Sequence, residues 1–198
     1  ASSPISVIGQ PPQPGNTQLT ITRFAGLRQR AIPGLGGVDP DWVSRTGTLT
    51  YTGTYEFTNP VDPSSADFTY PMQIDVALGQ GGTDWVPYTA RTSIAMPGGQ
   101  PSEASGVTGT SGLYWIDPRG LTGLTAGQVI DQDPVTTERL VVTSIGPFGS
   151  GSAVTFSSDL PGVSVQTTYE TTTGALVGYQ AHLVGSGATY RLQLTQLP

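Results

Sequence analysis

Thr48–Phe57, TLTYTGTYEF, is the stretch whose reading decides the fold. Leu49, Tyr51, Tyr55 and Phe57 fall on one side of an extended chain, interrupted by Gly53, while Thr48, Thr50, Thr52, Thr54 and Glu56 fall on the other. Successive side chains of extended backbone point to opposite faces, so a strict period of two means a strand with one buried face and one polar face. The pattern returns after the turn NPVDPSS. Phe68, Tyr70, Met72, Ile74, Val76 and Leu78 face inward, and Thr69, Gln73 and Asp75 face outward. The two runs predict a long antiparallel hairpin. Pro71 has no N–H for a ladder, which predicts an edge or a bulge at that point.

Working outward, Val86, Tyr88, Ala90, Ile94 and Met96 are in phase and predict a third strand over 85–96. Residues 97–112 are rich in Gly, Ser and Pro and read as a long loop with room for one short strand. Leu113–Ile116 reads as a brief strand ending at Asp117-Pro118. An Asp cap followed by Pro at the first helical position starts a helix, and Gly127 stops it, so one short helix is expected near 118–126. Further strands are expected at about 137–145, 152–157, 162–170, 175–184 and 187–197, the hairpin within 163–184 turning on Thr171-Thr172-Thr173-Gly174. Toward the start, Thr17–Phe24 alternates as a short strand, and 31–40 is a Gly/Pro loop. No repeat of fixed period is present. About 9–10 short strands predict an all-β protein, an antiparallel β-sandwich or a strongly curved half-barrel. The expected organisation is an extended Pro-rich arm over 1–16 and a single β domain over 17–198.

Composition narrows the function classes. The chain has 198 residues with 27 Gly, 17 Pro, 28 Thr, 8 Arg, no Lys and no Cys. Threonine suits the pleated surface, and Gly with Pro punctuates turns. Charged residues make up 11% and the net charge is −6. Eight scattered Arg cannot form the basic stripe that nucleic acid requires, and anionic membrane surfaces are disfavoured for the same reason. No run approaches the roughly 18 apolar residues of a membrane span. Without cysteine there are no disulfides, no thiol chemistry and no zinc–thiolate sites. The opening Ala1-Ser2-Ser3-Pro4 has the small residues of a processed end, which leads to the expectation of an exported protein, secreted or on the cell surface.

Candidate sites are few. His182 is the single histidine; it sits mid-strand on the polar side, and no G-x-S-x-G elbow accompanies it, so no nucleophile–base arrangement is expected. Asp131 and Asp133, with Asp117 and Glu138 nearby in the chain, form the best candidate metal cluster, since alternate carboxylates in a turn suit Ca²⁺. The spacing of a known calcium loop is absent, and an ordinary solvated turn is the simpler account of these residues. No cofactor is expected. The four glutamates Glu56, Glu103, Glu138 and Glu170 are not at a spacing that places a glycosidase pair. Trp42 and Trp85 are candidates for an apolar platform under a sugar ring, whereas Trp115 within LYWI reads as core.

The Pro-rich arm carries the leading functional expectation. Ile5, Val7 and Ile8 are its apolar anchors, and Pro11, Pro12 and Pro14 keep the following stretch extended. Such a segment can add as a strand to an exposed sheet edge, and when the acceptor is a neighbouring subunit the contact runs head-to-tail into rings or filaments. The sequence therefore predicts a non-enzymatic subunit of an extracellular fibre or sheath, a homopolymer built by strand complementation. A monomeric envelope protein binding carbohydrate or lipid in a β-sandwich cleft is the alternative.

Overall fold

A computed structural model describes residues 40–45, 47–58, 67–81, 86–108, 113–132, 138–160 and 162–198. The arm 1–16, the expected strand 17–24 and the loop before Pro40 lie outside them. Ten strands follow in chain order: β1 (Thr48–Phe57), β2 (Phe68–Leu78), β3 (Val86–Ile94), β4 (Ser102–Thr108), β5 (Val129–Gln132), β6 (Arg139–Phe148), β7 (Gly151–Leu160), β8 (Val163–Glu170), β9 (Leu176–Leu183) and β10 (Ala188–Leu194). All pair antiparallel in one open sheet, in the order β4-β3-β2-β1-β10-β9-β8-β7-β6-β5. The chain meanders from β1 to one edge, crosses to the other edge, and meanders back until β10 closes against β1.

The deciding hairpin forms in the register that its alternation demands. Leu49 lies opposite Val76, Tyr51 opposite Ile74 and Tyr55 opposite Tyr70, so one face of both strands is apolar. Pro71 falls in an internal strand rather than at a sheet edge. The β2–β3 ladder ends at Met72 and Ile94, and the Pro71 carbonyl accepts from Ala95 N at 2.9 Å just beyond it. Pro71 thus sits at the end of the β2–β3 ladder, where its carbonyl still accepts one bond and its lack of an N–H costs the ladder nothing further.

The crossing segment between β4 and β5 fills the apolar side of the sheet. Leu113, Tyr114, Trp115, Ile116 and Leu121 are all buried, Trp115 and Ile116 completely. Full burial of each such side chain contributes about 1.5–3 kcal/mol. Leu113–Ile116 is not a strand of the sheet: it makes one isolated bridge, Trp115 to Ala175, with Ile116 N donating to Gly174 O and Leu176 N to Tyr114 O, both at 2.9 Å. The Tyr114 ring meets Tyr88 of β3 edge-on at 5.4 Å, and Tyr169 Oη of β8 donates to Leu113 O at 2.8 Å. The sheet is therefore curved enough that strands five places apart in its order reach the same segment. The expected helix is a single 3₁₀ turn, Pro118–Leu121. Asp117 caps it by accepting from Arg119 N at 2.9 Å, but two glycines, Gly123 and Gly127, take positive φ immediately afterwards and the helix does not propagate.

Candidate functional site

The polar face of the sheet is built from the outward residues of each strand. Across its centre one row runs in register from Thr168 through Gly178, Gln193, Thr52 and Gln73 to Ser93. The adjacent row runs Gln166, Gln180, Arg191, Thr54 and Pro71. Gly178 withholds a side chain in the middle of the first row. A Cβ there would lie 3.3 Å from Thr168 Cβ. Gly53 plays a different part: its Cβ would fall 1.7 Å from the Arg191 carbonyl oxygen, so only glycine lets β1 coil this tightly onto β10.

Two shallow depressions of about 380 Å³ each flank β1 and share Thr52 and Gly53. One continues over Gln73, Ser93 and Pro101. The other continues over Gln166, Gln180, Gln193 and Arg191. Arg191 is ion-paired with Glu56, and this bond from the guanidinium holds the Glu56 carboxyl below its ordinary value. The wall therefore presents amides and hydroxyls around an internally neutralised charge. His182, in the next row, holds Thr189 Oγ1 through Nδ1 at 2.9 Å.

The sheet's two ends form the second candidate surface. Among the described residues β4 pairs with β3 alone and β5 with β6 alone. Strand β4 is seven residues long and in unbroken register with β3, and Val107 on it is 68% exposed. Strand β5 is four residues long and its register shifts between Val129 and Asp131. A short, bulged strand is a blunted edge, whereas a longer regular one is a template for another strand.

The sequence-derived site residues are dispersed. Ile5, Val7, Ile8, Trp85 and Asp133 lie outside the described residues. Trp42 is in the core: its ring stands edge-on to Trp115 at 5.8 Å and its Nε1 donates to Thr173 O at 2.8 Å, so it offers no face to a sugar ring. Asp131 sits at the β5 irregularity, where Oδ1 accepts from Gln132 N at 2.8 Å. Asp117 is instead engaged by the Arg119 guanidinium, whose hydrogen bonds hold its carboxyl below the usual range. Among the described residues no three of His, Cys, Asp or Glu are grouped so as to hold a metal ion. Of the four glutamates, Glu56 is paired with Arg191, Glu103 faces Arg91 in register at the β4 edge, Glu138 is buried before β6, and Glu170 caps the β8–β9 turn.

The trough residues Gln166, Gln180 and Gln193 escaped the sequence reading. A usable signal was present, since an isolated glycine inside a strand pattern marks a bulge or a close approach, and both TYTGTYEF and LVGYQ contain one. No family model matches the chain, and no curated protein matches it either.

Proposed function

We propose that this chain is a non-enzymatic structural subunit of an extracellular assembly, joined by its N-terminal arm adding as a strand to the β4 edge of the next copy. The observation that supports this reading most is the open sheet, whose β4 edge is long and regular while its β5 edge is short and irregular. An edge strand directs alternate N–H and C=O groups outward, and a seven-residue edge matches a donor spanning Ile5, Val7 and Ile8. One donor end and one acceptor edge per chain make a heterologous contact, which propagates into rings or filaments. Each arm side chain contributes about 1.5–3 kcal/mol if fully buried on docking, beyond the main-chain bonds.

Deleting residues 1–16 tests the reading. The full chain should form polymers visible by electron microscopy, and the truncated chain should sediment as a monomer with a melting temperature within a few degrees of the full chain. A full-length chain that stays monomeric at high concentration, or a truncated one that still polymerises, contradicts it. A second reading, carbohydrate binding, is favoured by the amide-lined trough. Lipid is disfavoured because the apolar face of the sheet is already packed by Leu113–Leu121.

A further inference from the structure

The geometry points to a binding site for neutral, polyhydroxylated oligosaccharide in the trough on the polar face, centred on Gln166, Gln180 and Gln193 and floored by Gly178. Each glutamine amide offers two donors and an acceptor, the same mixed complement that vicinal sugar hydroxyls present. Gln166 of β8 and Gln180 of β9 lie side by side in one row, on strands about 4.8 Å apart, and Gln193 of β10 stands one row along, two residues from Arg191, so the amides outline a patch over three adjacent strands. Gly178, opposite Gln193, carries no side chain of its own, and the Thr168 side chain lies 3.3 Å from where its Cβ would be.

Charge selects the ligand class. Arg191, the cation of this wall, is paired with Glu56, and the whole chain carries −6. A polyanion would meet no free positive charge here and a repulsive field at a distance. A neutral chain meets neither penalty. The depressions are shallow and Tyr179, the aromatic residue among their described lining, is buried, so single-site affinity is modest and depends on hydrogen bonds. This site uses no residue of the arm or of the β4 edge, and it stands whether or not the chain polymerises.

The test is isothermal titration of the full chain with cellohexaose, maltohexaose and chitohexaose, and with a sulfated hexasaccharide as the anionic comparison. At least one neutral hexasaccharide should bind with an affinity insensitive to salt. Gln166→Ala/Gln180→Ala should weaken it about tenfold, and Gln132→Ala, on β5, should leave it unchanged. Sedimentation of the Gln166→Ala/Gln180→Ala variant should match the parent chain, which keeps this outcome separate from that of the arm. Absence of binding to all three neutral sugars, equal binding by the trough variant, or binding of the sulfated sugar alone overturns the proposal.

Discussion

Glu170 is 3% exposed, yet its carboxylate is fully occupied at the turn between β8 and β9. Thr172 N donates to Oε1 at 2.8 Å, and Thr173 N and Oγ1 donate to Oε2 at 2.7 and 2.8 Å. Burial by itself pushes the carboxyl up; the donors from Thr172 and Thr173 outweigh it and the net direction is down. A depressed native value means that stability is present above the unfolded value of about 4.3 and is lost as pH falls through the native one. The melting temperature should therefore drop between pH 5 and lower values, and Glu170→Gln should flatten that drop while lowering stability at neutral pH. Equal pH slopes for the two proteins, measured by thermal melting, would refute this role. Glu170 was visible in the sequence as one glutamate among four, and the TTTG turn was legible too. Their connection was not, because it depends on the turn folding the two amides back onto the carboxylate.

At the scale of elements, strongly alternating strands were legible and weakly alternating ones were not. The β1–β2 hairpin could be read residue by residue because the apolar set on one face leaves only one workable register. Strand β4, SEASGVT, is the short strand for which the loop 97–112 left room, but its bounds were not legible because an edge strand needs no apolar alternation: its burial alternates between half-buried and exposed. Strand β5 is too short to show a period. LYWI was read as a strand because its apolar run has the right length, but its partners are turn and tyrosine groups rather than a ladder. Gly174 is what lets the turn lie against this segment. Its φ is +71, and an added Cβ would sit 1.9 Å from the Ile116 carbonyl oxygen. Gly174→Ala should cost about 3 kcal/mol or more, since strain and a backbone clash combine. Gly123→Ala, at φ +77 with nothing within 4 Å, should cost only about 1–2 kcal/mol. Urea denaturation of both variants checks the difference, and equal costs would show that the contact with Ile116 is not tight in solution.

For the whole molecule, the central fact is a sheet of ten antiparallel strands that does not close among the described residues. The sequence yielded the strand number and the antiparallel class from turn spacing, but not the strand order, because pairing β10 with β1 joins segments over 130 residues apart and no local pattern encodes that. In the proposed assembly the order matters: among the described residues it leaves β4 and β5 as the ends, and the longer, regular β4 is the proposed acceptor. Because the chain contains no cysteine, engineered thiols can report which edge the arm finds. The decisive measurement mixes Val7→Cys chains with Val107→Cys chains under mild oxidation and follows disulfide-linked dimers by mass. Strand addition between copies predicts a mixed dimer containing one chain of each kind, formed faster than with Val129→Cys on β5 as the acceptor. If Val7 links to Val107 only within a doubly substituted chain at low concentration, or if no mixed dimer forms, the arm does not join neighbouring copies through β4.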